Sequence, residues 1–312
     1  MANSFLRARL LPMLVAATGL GACALPDTPA NPSAHTSTLA PIAATVSIQP
    51  ANAATQAAWT AQLDQFTRSP ISQAILLGEQ HDVPEHQQLH HRAVVALNSQ
   101  QQLAALAVEM AEQGQTTRAL SPLANEASVR AALQWDVAAW PWAAYGPAVM
   151  AAVRAGVPVL GANLPQARWR ETMQDTALDA QLPVAALQAQ QQAIRTGHCN
   201  LLPESQIAPM TRIQIARDVA MAAVVRAAAQ PGKTVLLLAG HGHVNRALGV
   251  PQHLPAGFTY RAVLLQAAPE AGTTDANTPF DVTLALGTAP QTDYCAEFSA
   301  SQTRPPKTPK TP

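Results

Sequence analysis

Ile75-Leu76-Leu77-Gly78-Glu79-Gln80-His81-Asp82 decides how the chain is read. A short apolar run ends in a glycine. A carboxylate, an amide, an imidazole and a second carboxylate then follow without a gap. A run of this length predicts a buried strand closed by Gly78. Polar groups at the carboxyl end of such a strand stand where open α/β sheets bind ligands. A plainer account makes Asp82 a helix N-cap with Pro84 in the first turn. It covers Asp82 and leaves Glu79 and His81 crowding the strand end unexplained.

The same grammar recurs along the chain. Strands are predicted over Ala74–Leu77, Leu103–Val108, Val157–Leu160, Thr234–Ala239, Thr259–Gln266 and near Asp281–Ala285. Helices are predicted over Thr55–Thr67, Pro84–Ser99, Ala127–Gln134, a segment ending near Ala155, Gln166–Thr176, Val184–Thr196 and Glu204–Ala229. Strands alternating with helices imply an α/β fold: a mainly parallel sheet with helices on both faces. In a parallel sheet all carboxyl ends lie on one edge. Glu79 and His81 after the first strand, Glu109 after the second, Asn163 after the third and His241 and His243 after the fourth therefore converge on one cleft. Each piece alone is weak, and the convergence is the signal. His243 is the histidine expected to face the cleft, with His241 left open and Asn245 and Arg246 near enough to orient a carboxylate.

Further residues extend the set. The long helix carries Met210, Gln214, Arg217 and Met221 on one stripe. A charge inside such a helix needs a partner, and Arg217 can pair with Glu79, Glu109 or a ligand carboxylate. Arg168 and Arg170 are weaker candidates of that sort. His86 and His90 share a helix face at a spacing able to hold a metal, although an exposed polar face explains them more simply. Trp135, Trp140, Trp142 and Tyr145 crowd into eleven residues. They read equally as a satellite core or as an aromatic wall for a flat ligand, with Tyr145 as an axial oxygen for ferric haem. There is no Gly-x-Ser-x-Gly elbow, P-loop or dinucleotide glycine fingerprint, which argues against those chemistries.

Composition bounds the rest. The chain has 312 residues, with 19 Lys and Arg against 19 Asp and Glu. That balance argues against nucleic acid as a partner. Residues 1–23 read as a signal peptide: Arg7 and Arg9 precede an apolar Leu10–Leu20 too short to span a bilayer. Leu20-Gly21-Ala22-Cys23 looks like a bacterial lipobox, with Cys23 lipidated (palmitate-type acyl chains) and Ala24 and Leu25 resembling an outer-membrane sorting pattern. Residues 24–54 are expected to be a flexible tether, 55–298 one α/β domain and 299–312 a disordered tail. An exported chain meets an oxidising compartment, so Cys199 and Cys295 are expected to form a disulfide.

These motifs together resemble the ChaN-like lipoproteins. The resemblance rests on Leu76–Asp82, Val108-Glu109-Met110, Tyr145-Gly146-Pro147, Gly161-Ala162-Asn163-Leu164-Pro165, Arg217–Ala222 and Ala239–Val244. It runs from about residue 70 to residue 265 and places the chain near the erythromycin esterases, TraB proteins and Tiki proteases. It implies a haem-binding outer-membrane lipoprotein of iron uptake, dimeric around haem. Tyr145 is then the iron ligand, with His81, His243, Arg217 and Trp142 contributing to the haem site. The superfamily also implies an alternative. A hydrolase, with or without a divalent metal, would use His81 as general base, Glu79 and Glu109 to tune it and His243 to stabilise charge.

Overall fold

The computed structural model describes residues 72–268, 279–288, 292–296 and 299. The expected signal peptide, tether, first helix and all of the terminal tail after Ser299 lie outside the described residues. Six strands are seen: β1 (Ala74–Glu79), β2 (Leu103–Glu112), β3 (Val159–Asn163), β4 (Thr234–Gly240), β5 (Tyr260–Ala268) and β6 (Val282–Thr288). They form one sheet in the order β3-β2-β4-β1-β5-β6, and every strand pairing is parallel. The helices are α1 (Pro84–Ser99), α2 (Glu126–Ala132), α3 (Trp142–Arg154), α4 (Trp169–Gln174), α5 (Val184–Gly197), α6 (Glu204–Ala228) and the single turn α7 (His241–Val244). None of them is long and apolar enough to cross a membrane.

The central strands are apolar up to their carboxyl ends because both faces are covered. Successive side chains alternate between faces. Ile75, Leu77, Leu106, Val108, Leu236 and Leu238 pack under α1 and α3. Ala74, Leu76, Ala105, Ala107, Val235 and Leu237 pack under Met221, Ala222 and Val225 of α6. The alanines on this second face leave room for the close approach of α6.

Two strands run further than their apolar patterns suggest. β1 includes Glu79 and β2 includes Glu109, so the pleat, not a loose loop, aims both carboxylates. Glu79 sits beside Gly240 in the register of β1 and β4. Gly78 is required by crowding: a Cβ there would lie 2.2 Å from Val244 Cγ2 and 2.9 Å from His241 Cα. That contact lets α7 fold directly onto β1 and brings its two histidines to the strand edge.

The residue before α1 is Val83, and no side chain caps this helix. Asp82 instead accepts a hydrogen bond from the Tyr294 hydroxyl, so the N-cap expectation for it fails. Pro84 does occupy the first turn, where its missing N–H costs nothing. His86 and His90, expected on an exposed face, are both fully buried. The sequence of α1 is polar, but β6 and α3 cover it on the sides that carry these imidazoles. Cys199 and Cys295 are joined, with their Cα atoms 5.5 Å apart. The bridge ties the turn after α5 to the segment 292–296.

Candidate functional site

Glu79 is fully buried and saturated with partners. Its Oε1 lies 2.8 Å from His81 Nδ1 and accepts from the Tyr145 hydroxyl at 2.7 Å. Its Oε2 accepts from Gln87 Nε2 at 2.7 Å, with His90 Nδ1 at 3.7 Å. Burial alone would raise its pKa, but the neighbouring imidazoles and the hydroxyl outweigh this and hold it below the ordinary value. The carboxylate fixes the His81 ring with Nδ1–H as donor, which turns Nε2 toward the cleft. Burial opposes charge on His81, yet Glu79 and Glu109 raise its pKa. Gly240 makes room for the ring, since a Cβ there would lie 2.8 Å from His81 Nε2.

Glu109 centres a second group. It accepts from the Gly240 backbone N–H at 2.7 Å and from Arg217, and lies 3.4 Å from His243 Nε2. Arg217 Nε also donates to Asn163 Oδ1 at 2.9 Å. His243 Nδ1 donates to Asp218 Oδ1 at 2.6 Å. Burial disfavours a charged His243, but the two flanking carboxylates push its pKa up to about 9. Burial would also raise Glu109, and the imidazolium and guanidinium more than reverse this. The two groups meet where His81 Nε2 stands 3.9 Å from Glu109 Oε2. Glu79, His81, Glu109, His241 and His243 converge on one cleft as expected, and Asn163 joins them through Arg217.

They form one side of a cleft of about 700 Å³. The opposite wall is α5, through Gln190, Ala193, Ile194 and Gly197. These fall at i, i+3, i+4 and i+7, one helix face, and only Gln190 among them is polar. His198, Tyr294, Asp82, Gln214 and His241 complete the lining. His241 is exposed and His243 nearly buried, so both reach the cleft, at different depths. The α5 wall carries no chemical signature in sequence. A signal for His198 and Tyr294 did exist, because each immediately precedes one cysteine of the bridge.

Other candidates lie elsewhere. Tyr145 is 2 % exposed beneath Glu79 and is not among the cleft-lining residues. Trp142 donates its indole N–H to Glu126 at 2.9 Å and meets Trp135 edge-on, with ring centroids 5.1 Å apart. Both belong with the core packed under the sheet, while Trp140 reaches the site by an edge contact with His81. Arg246 pairs with Asp281, and Asn245 caps its own turn. Arg168 and Arg170 do not line the cleft. His86 accepts from the Gln80 N–H at 3.0 Å and so donates from Nε2 to Leu286 O at 3.1 Å. His90 has no hydrogen-bond partner on either ring nitrogen. Among the described residues no group of three His, Cys, Asp or Glu could hold a metal ion.

The buried histidines set an expected pH profile. His243 titrates at 6.5 when unperturbed and at about 9 in the fold. The folded state thus binds the extra proton, and stability falls as pH rises from 6.5 through 9. That shift is worth on the order of 3 kcal/mol. His86 is pushed the other way by burial, from 6.5 to about 4. Its contribution is present above pH 6.5 and is lost as pH falls through 4. Thermal midpoints from pH 4 to pH 10 should peak near 6.5. A midpoint still climbing at pH 8 would contradict the charged His243.

No curated protein matches the sequence. A solved structure described as cofacial heme binding to ChaN of Campylobacter jejuni superposes with a TM-score of 0.58 at 22% identity, over 73% of this chain and 91% of that one. At that identity it shows a shared fold. The structure of the type III effector HopBA1 gives a TM-score of 0.44 at 16% identity, over 73% of this chain and 94% of that one, too slight a likeness to argue from. Residues 67–254 match the family described as haem-binding uptake, Tiki superfamily, ChaN. That stretch is more than half of the chain and holds the strand-end histidines and acids together with Asn163 and Arg217. On this match the chain belongs to the ChaN family of the Tiki superfamily.

Proposed function

We propose that the protein binds haem in the cleft at the carboxyl edge of the sheet, as a lipid-anchored outer-membrane component of iron uptake. The observation that carries this reading is the cleft itself. Its volume of about 700 Å³ is in the range of small-molecule and cofactor sites, ~300–1,000 Å³. The α5 wall offers Ala193, Ile194 and Gly197 as a mainly apolar surface against which a haem ring would lie. His81, His198, His241 and Tyr294 on its walls are side-chain types that ligate haem iron. Arg217 lines its floor, where the guanidinium it shares with Glu109 would also donate to a haem carboxylate. When bound, haem supplies the iron; the chain's residues orient the ring and limit its contact with water. The cofacial haem named for the Campylobacter relative supports a second copy facing this one across the open side.

The address is supported by the Cys23 lipobox and by the disulfide, which belongs to an oxidising compartment. Titration of the purified full chain with hemin should give a saturable Soret shift at one equivalent. A spectrum that stays that of free hemin would end the haem reading. Membrane association that survives Cys23→Ser would end the lipid anchor.

One observation favours a second reading. The Glu79–His81 pair is an oriented dyad with Nε2 open to the cleft, as a general base for water requires. Glu109 and His243 stand beside it to steady developing charge. The dyad needs only water and its own carboxylate, so a metal-independent hydrolysis is the form this geometry supports. Ester or peptide turnover that vanishes in His81→Ala distinguishes it from haem binding alone.

A further inference from the structure

The α5 wall of the cleft is lightly held. Of its fourteen residues only Gln190 and Ile194 are buried, and both face the cleft. The helix packs on α6, and its Arg195 pairs with the exposed Glu204, where an ion pair holds little. The Cys199–Cys295 bond adds a covalent attachment just past its end. We propose that residues 292–296 form a strap across the mouth of the cleft, locked by this bond and released when a dithiol reduces it. The inference rests on the cleft being the ligand site, as read above, and adds how access to it is controlled.

The strap joins the two sides of the cleft. On the helix side, Cys295 is bonded to Cys199, which follows the end of α5. On the strand side, the Tyr294 hydroxyl donates to Asp82, which follows β1. Tyr294 and Asp82 both line the cleft, as does His198 beside Cys199. Residues 292–296 are all exposed, so they lie at the rim. The segment closes on itself through the Ala296 N–H, which donates to Asp293 Oδ1 at 2.9 Å. A covalent bond at one end and a hydrogen bond at the other thus set the width of the opening. The family match covers residues 67–254 and does not account for this segment.

Release is a thiol–disulfide exchange. A thiolate of the dithiol attacks one sulfur, the Cys199–Cys295 bond breaks, and the donor's second thiol resolves the mixed disulfide. Each cysteine gains one electron and one proton, and the donor leaves as a disulfide. Cys295 is exposed, so an attacking thiolate can reach it. With the bond open, the strap keeps its hydrogen bond to Asp82 but loses α5. The helix then has no covalent tie to the strand side, and the wall can swing away from the strand ends. In an oxidising compartment the bridge stays closed and the cleft retains what it holds. A dithiol donor opens it.

The test follows backbone hydrogen exchange in the full chain, first without ligand. Reduction by a dithiol, or Cys199→Ser with Cys295→Ser, should speed exchange across α5 by about tenfold while β1 and β4 keep their protection. Asp82→Ala alters an exposed side chain, leaves the bond intact and unties the other end, so α5 should exchange faster there too. A bond that only pins one loop to α5 would not give this. Hemin loaded into the same chain should then pass to a haem-scavenging acceptor about tenfold faster when the bridge is reduced. Unchanged α5 exchange on reduction overturns the strap. Exchange that rises on reduction but not in Asp82→Ala shows a tie to α5 alone and overturns it as well. Faster exchange with equal hemin release overturns the control of access. Faster exchange on reduction and in Asp82→Ala, in a chain that binds no hemin, supports the strap and removes the haem reading instead.

Discussion

Glu109→Ala should lower the free energy of unfolding by about 3–5 kcal/mol, the usual cost of removing one partner from a buried charge pair. Glu109 is 2 % exposed and is the anion shared by Arg217 and His243, with His81 close by. Its loss strands a guanidinium and an imidazolium near one another, with Asp218 and Asn163 as their remaining partners. It also orphans the Gly240 N–H at a strand end, which adds about 1–3 kcal/mol of unmet desolvation if water cannot replace the oxygen. His243 can relieve part of the cost by giving up its proton, so the two contributions do not simply add. In urea the midpoint should fall with little change in slope, and the thermal midpoint should drop by about 10 °C for a domain of this size. Combining Glu109→Ala with Arg217→Met should cost less than the two singly, because the second change removes the stranded charge. A loss under about 1 kcal/mol would mean that water screens these groups as at a surface. The cleft floor would then be far wetter than its burial indicates.

The strand-end site was legible because its signal is periodic and local. An apolar run that stops at Gly78 or Gly240 announces a strand end, and parallel connection then places those ends together. The rest depended on partners distant in sequence. The α5 wall reads as an ordinary amphipathic face, since Ala193, Ile194 and Gly197 look alike whether they meet a core or a ligand. His86 and His90 read as exposed because α1 is polar in composition, and nothing in it shows that β6 and α3 cover it. The crowding of Tyr145 and Trp142 reads equally as a satellite core or a ligand wall, because sequence alone does not say what the aromatic rings face. In the fold the crowd supports the site from below: Tyr145 holds Glu79, and Glu79 holds His81. Asp82 had the right residue type for a cap, but the pairing with Tyr294, 212 positions away, governs it instead.

Breaking the Cys199–Cys295 bridge should cost about 4 kcal/mol. The two cysteines are 96 residues apart, and in the chain-entropy picture a closed loop of about 100 residues removes roughly 4.7 kcal/mol of freedom from the unfolded chain. A native contribution opposes part of this, since the reduced chain can let 292–296 move without disturbing the sheet. The bridge attaches that segment to the exposed end of α5 and not to the core. The core should therefore remain folded in Cys199→Ser with Cys295→Ser, at reduced stability. Two readings of one urea experiment separate the causes. If the unfolded chain carries the effect, the slope of free energy against urea should rise as well, because the unlinked chain exposes more surface. If the native cleft carries it, the slope should hold constant. Tyr294→Phe alone should then reproduce part of the loss through its bond to Asp82. An unchanged midpoint on reduction would show that the segment contributes nothing to global stability. The bridge would then act only locally, by holding Tyr294 at the cleft.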